Sequence, residues 1–142
     1  MTTAPIMSVS IESERDVCNV RNVARLSARA LSFPITDQAR IGWAVANLAR
    51  MMLMLDIGGT MDIAHAQQDG RWGIQVTCKG AWLRMVRHTW VEKTALSDIS
   101  QWVDDLQFVD GNPPHLMMML WPAEDTADRG EQNDTAGLAG RG

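Results

Sequence analysis

The sequence is poor in cysteine. Its two, Cys18 and Cys78, are too few and too far apart to suggest a disulfide framework or a zinc site, and such usage suits a reducing compartment. Positive charge is also short. Thirteen Lys and Arg against 17 Asp and Glu give a formal net charge of −4, which leaves no electrostatic footprint for nucleic acid. No long apolar run is present: Met51-Met52-Leu53-Met54-Leu55 falls far short of the roughly 20 residues that span a bilayer. Nor does a basic stretch followed by an apolar core open the chain, so no secretory signal is expected. These absences point away from nucleic acid and membranes and toward a soluble cytoplasmic protein.

What is present suits one globular domain. A chain of 142 residues buries roughly 70% of its unfolded surface, enough to need no staples. Hydrophobic residues at 46% and charged residues at 21% are ordinary globular usage. The acidity is concentrated at one end. Residues 123–142 carry Glu124, Asp125, Asp128, Glu131 and Asp134 against Arg129 and Arg141, among glycines and small residues. Such a composition predicts a disordered acidic tail following a domain over 1–122.

Met7-Ser8-Val9-Ser10-Ile11 alternates apolar and polar residues, which predicts a half-buried strand. Asp16 is then the expected N-cap of a helix to about Leu31, with Val17, Val20, Ala24, Ala28 and Leu31 as its core stripe. Arg21, Arg25 and Arg29 recur every four residues on another face. Ser32-Phe33-Pro34 stops this helix, because proline disfavours helical geometry in the residue before it. A second helix runs from Thr36 and Asp37 through Leu55, ended by Gly58-Gly59. Strand-like runs Thr60–Gln67 and Trp72–Cys78 flank Asp69-Gly70, a strong hairpin-turn signal. Residues 79–96 show no clean period. Ser97 caps an expected short helix with Ile99, Trp102, Val103 and Leu106, and His115–Trp121 is a final strand stopped by Pro122. The order predicts an α/β (α+β) two-layer sandwich: a mixed, mainly antiparallel sheet with helices on one face.

The segment Phe33-Pro34-Ile35-Thr36-Asp37-Gln38-Ala39-Arg40-Ile41-Gly42-Trp43-Ala44-Val45-Ala46-Asn47-Leu48-Ala49-Arg50 resembles a stretch of the GHKL ATPase superfamily. That stretch reads hydrophobic-x-x-T-D-x-x-R-I-x-x-A-V-S-E-L-A-R-N in the small anti-sigma-factor and switch serine kinases, and the likeness extends over most of 7–122. The resemblance implies a nucleotide site, and at that site this chain departs from the pattern. The acidic residue that orients the attacking group and the asparagine that holds Mg²⁺ fall on Asn47 and Met51. An amide is a poor general base, and a thioether is a poor ligand for a hard cation. The D-x-G-x-G element falls on Cys78-Lys79-Gly80-Ala81-Trp82. Gly80 is kept, the adenine-reading aspartate becomes Cys78, and the last glycine becomes Trp82. Leaving the adenine amine unpaired costs about 1–3 kcal/mol. Ala95-Leu96-Ser97-Asp98 stands where a phosphate loop would precede the last helix. The resemblance therefore implies a member that has lost MgATP chemistry, with no cofactor expected.

Other constellations have bland readings beside sharp ones. Cys78 is either a buried hydrophobe or a thiol activated by Lys79. His65, His88 and His115 with Asp62 lack metal-ligand spacing. Trp43, Met51 and Met54 either fill the volume of a lost nucleotide or line an apolar pocket for another small ligand. Met117-Met118-Met119 suits two-sided strand burial. The arginine ladder is either a solvated face or a docking stripe, and the resemblance favours docking through the first helix.

Three functions follow from these readings. The first is a non-catalytic regulator acting by protein–protein binding in a bacterial partner-switching module. Its implied partners are a STAS-domain antagonist, a sigma factor or a related regulator, with a homodimer as a further option. The second is an active ATP-dependent serine kinase with an atypical site, which alone would require ATP and Mg²⁺. The third is a small-ligand sensor using the former nucleotide pocket.

Overall fold

The computed structural model describes residues 1–55, 59–80, 83, 97–109, 111, 112 and 114–122. The expectations for Gly58, Trp82, His88, most of 79–96 and the tail 123–142 lie outside the described residues. Strand β1 spans Thr2–Ser10, helices α1 and α2 span Glu14–Ala30 and Ile35–Leu55, and strands β2 and β3 span Thr60–Gln68 and Arg71–Lys79. Strands β4, Asp105–Val109, and β5, His115–Leu120, follow. The strands form one sheet in the order β1-β2-β3-β5-β4, and every pairing is antiparallel.

Helix α1 begins three residues before the expected cap. Ser13 is the N-cap, in extended geometry. The Asp16 carboxylate, one turn inside, accepts the backbone N–H of Glu12 at 2.9 Å and of Ser13 at 3.1 Å. Asp16 thus satisfies orphan donors of the first turn from within the helix. At the other end Ser32 takes a positive φ of 64°. Ser32 N–H donates to Arg29 O, and Phe33 N–H donates to Ala28 O at 2.9 Å. That pair of bonds is a Schellman stop, and it delivers Phe33 into the core.

The hairpin β2–β3 turns through Asp69 and Gly70, with φ of 54° and 79°. Positive φ at both central residues matches the twist of the flanking strands and sets the register Gln68↔Arg71 through Thr60↔Lys79. Alternation then sorts the faces. Met61 and Ile63, Ile74, Val76 and Cys78, and Leu116, Met118 and Leu120 align across three strands and are fully buried. They join Val17, Val20, Ala24 and Ala28 of α1 and Ile41, Ala44, Val45, Leu48 and Met52 of α2 in one core. The helix pair therefore covers one face of the sheet, as the two-layer expectation requires.

One element differs from expectation in kind. The helix begun at Ser97 ends at Ser100, and Leu106 sits in β4 opposite Met118. Leu106 and Phe108 share a face at two-residue spacing, as do their partners Met118 and Leu116 on β5. Pairing to β5 overrides the three- and four-residue spacing of Ile99, Trp102, Val103 and Leu106. Strand β1 is also longer than expected, carried to Thr2 by pairing with β2 across an irregularity between Pro5 and Met7.

On the other face, Trp121 lies over Gly73. A Cβ at position 73 would stand 2.5 Å from Trp121 Cε3 and 2.7 Å from the backbone oxygen of Leu120. The Arg71 guanidinium stacks on the same indole, 5.1 Å from its centroid. Gly73→Ala is expected to destabilise the fold by about 1–3 kcal/mol, since a backbone atom must shift. A urea denaturation curve with an unchanged midpoint would contradict this packing.

Candidate functional site

The positions singled out by the sequence lie on α2 and at the end of β3. Asn47 is half-buried. Its side-chain amide donates to the backbone oxygen of Trp43 at 2.8 Å, so it is turned onto its own helix. Met51, one turn later, is 5% exposed and belongs to the core, while Met54 is 75% exposed. The expectation that Met51 and Met54 share one pocket-lining side is thus corrected. The inward side of the helix takes one, and the outward side takes the other.

Cys78 is fully buried, paired in register with Met61 and Leu116. Burial, and secondarily the charge of Asp62, pushes its thiol far above the ordinary value of 9.0. Activation by Lys79 does not occur. Lys79 Nζ instead pairs with Asp62 Oδ2 at 3.1 Å, on the face of the sheet that alternation turns away from Cys78. Gly80 has a φ of 153°, a region that residues with a Cβ rarely enter. Its presence therefore has a backbone reason independent of any nucleotide.

Trp43 is 41% exposed and Trp102 48% exposed. Their rings meet at 5.3 Å between centroids, tilted by 48°. With Thr36, Ala39 and Arg40 they line a shallow hollow of about 280 Å³. Arg40, which no local pattern in the sequence singles out, holds this corner. Its guanidinium donates to Trp102 O at 2.7 Å and Trp121 O at 3.0 Å. It also pairs with Asp37 at 3.4 Å and approaches Asp104 at 3.9 Å. The nearest sequence signal is Asp37 three residues earlier on the same helix face. Asn47, Met51 and Cys78 do not line the hollow.

The arginine ladder is assembled as the spacing implies. Arg25 and Arg29 are exposed and Arg21 is half-buried. Among the described residues none of the three has an ion pair, and the buried Nε of Arg21 has no hydrogen-bond partner. The stem of Arg25 rests on Gly42 of α2, where a Cβ would stand 2.7 Å from both Cγ and Cδ. Glycine within a helix costs about 1 kcal/mol against alanine. Here it admits the arginine stem at the helix crossing. Asn22, Arg25, Leu26, Arg29 and Gln38 line a hollow of about 320 Å³ beside it, and Leu26 is 61% exposed. This basic, partly apolar concavity was not visible in the sequence, because Gln38 enters it from α2.

Among the described residues no cluster of His, Cys, Asp and Glu could hold a metal ion. His65 instead lies edge-on to Trp72 at 6.4 Å. Met117 accepts a bond from Gln75 Nε2 at 3.1 Å while Met118 and Met119 are buried, the two-sided burial expected of β5. No protein-family model matches the chain, and no curated protein matches it.

The thiols supply a test of this packing. Cys18 is exposed and Cys78 buried, so one equivalent of a thiol reagent is expected to react with the native protein and two after unfolding. Unfolding also frees the Cys78 thiol to ionise. Its stabilising contribution is complete below pH 9.0 and falls as pH rises above that value. The added slope is at most about 1.4 kcal/mol per pH unit. Cys78→Ala is expected to remove that slope, as read from denaturation midpoints between pH 8 and 10.5.

Proposed function

We propose that the chain is a non-catalytic regulatory protein with the anti-sigma-factor and switch serine-kinase fold. It acts by binding other proteins in a bacterial partner-switching module. The element order, two helices between β1 and the β2–β3 hairpin and all on one face of an antiparallel sheet, supports the fold assignment. One observation supports a loss of nucleotide chemistry: two of the described site side chains, Met51 and Cys78, are already spent on packing. Met51 and Cys78 lie inside the core, and the Asn47 amide is bonded to its own helix. A carboxylate to read adenine and an oxygen to hold Mg²⁺ are thereby replaced by a protonated buried thiol and a buried thioether.

The binding surface in this reading is the side of α1 that borders α2, with Arg21, Arg25 and Arg29 facing a STAS-domain antagonist, a sigma factor or a related regulator. Unpaired arginines there steer an acidic partner and fix its register, and their effect weakens with salt. Among the described residues no helix is long and apolar enough to cross a membrane, which suits the cytoplasmic location this function needs.

Calorimetric titration with ATP and ADP, with and without Mg²⁺, is expected to show no binding at millimolar nucleotide. Micromolar Mg²⁺-dependent binding would overturn the reading in favour of an active serine kinase. In titrations against purified STAS-domain antagonists, Arg25→Glu is expected to weaken binding about tenfold or more at low salt. Asn47→Ala is expected to leave it unchanged.

A further inference from the structure

The chain carries its own candidate for the arginine stripe. Trp121 is the last residue but one before the acidic segment, and its backbone oxygen is bonded to Arg40 on α2. Gln38, two positions earlier on that helix, lines the hollow that holds Arg25 and Arg29. The segment is thus rooted on α2, and a helix with its side chains is only about 10–12 Å across. Asp134 follows Trp121 by about 13 residues, an extended reach on the order of 40 Å, ample to pass around α2. Glu124, Asp125, Asp128, Glu131 and Asp134 oppose a single arginine, Arg129, within that length. On the other side stand three arginines with no ion pair among the described residues.

We propose that the stripe Arg21, Arg25 and Arg29 recognises acidic peptide segments, and that its resident occupant is residues 124–134 of the same chain. The proposal rests on reading the stripe as the docking surface and adds how that surface is regulated. The occupant is incomplete by composition. Between 123 and 137 its only apolar side chains are alanines, so it supplies carboxylates and nothing to cover Leu26, which is 61% exposed. A partner that presents carboxylates together with a large apolar side chain gains both contacts and displaces it. Tethering places the segment at an effective concentration on the order of 1 mM. For a charge-only contact with a dissociation constant of about 0.1 mM, that weakens any competitor about tenfold.

The test uses full-length protein and a fluorescein-labelled peptide of residues 123–136, followed by anisotropy at low salt and at 0.5 M salt. One variant carries Glu124→Gln, Asp125→Asn, Asp128→Asn, Glu131→Gln and Asp134→Asn. A second adds Arg25→Gln and Arg29→Gln, both exposed positions, with circular dichroism to verify folding. The tail-neutral variant is expected to bind the peptide about tenfold more tightly than the wild type. That binding is expected to vanish at high salt and in the second variant. Equal affinity for wild type and tail-neutral protein would overturn occupancy by the tail and leave the stripe an open docking surface. No binding to the tail-neutral variant, or binding that survives loss of the arginines, would overturn acid recognition itself. Neither result touches the STAS-domain titration, whose failure is read separately on the wild-type chain.

Discussion

A single guanidinium joins the two layers at the C-terminal side of the sheet. Arg40 on α2 donates to the backbone oxygens of Trp102 and Trp121 and faces the carboxylates of Asp37 and Asp104. Trp102 leads into β4 and Trp121 leaves β5, so one side chain fixes where the last two strands begin and end relative to the helices. Asp104 closes the circuit: its carboxylate accepts the Trp121 N–H at 2.6 Å, and its own N–H donates to Met119 O. Charge-assisted bonds of this kind are stronger than neutral ones. They hold short edge strand β4, most of whose side chains are exposed, in register without help from a deep core.

With the helix layer fixed in this way, the identity of each α2 position acquires a meaning. The inward side is apolar and filled, and Met51 belongs to it. Asn47 sits at the boundary and satisfies its amide locally. Under the proposed reading these two positions and that of Cys78 would face one nucleotide cleft; two of the three side chains are withdrawn into the core. The same helix carries Gly42 on the side that meets α1, where its missing side chain admits the Arg25 stem. The filled apolar face on one side and the basic surface offered at another are thus consequences of how a single helix is packed.

Much of the fold was legible in the residues. The two long helices, the Asp69-Gly70 hairpin and the β5 run all carry strong local signals that the tertiary structure has no reason to oppose. The Schellman stop at Ser32 was legible only as the proline that follows it. The start of α1 is ambiguous by three residues in the sequence because Ser13 and Asp16 are both capping residues, and only the bonds from Glu12 and Ser13 show that Asp16 works from inside. Ile99, Trp102, Val103 and Leu106 satisfy the helical period, which draws Leu106 into a helix, whereas the strand period of β4 depends on partners in β5. At the candidate site, the burial of Cys78 was legible from its place at the end of an apolar alternation. The separation of Met51 from Met54 was not.

By itself the sequence determined that an amide, a thioether and a thiol stand at positions 47, 51 and 78. It also determined that three arginines share a helix face and that the acids gather after Pro122. Composition and spacing are properties of the chain, and they survive any packing. Only the tertiary structure decided which of these groups face inward and which are free to bind. Whether a thiol is buried, a guanidinium unpaired or a glycine seat occupied depends on neighbours that arrive from distant parts of the chain. Arg40 depends on partners more than 60 residues away, and no local pattern encodes such a meeting.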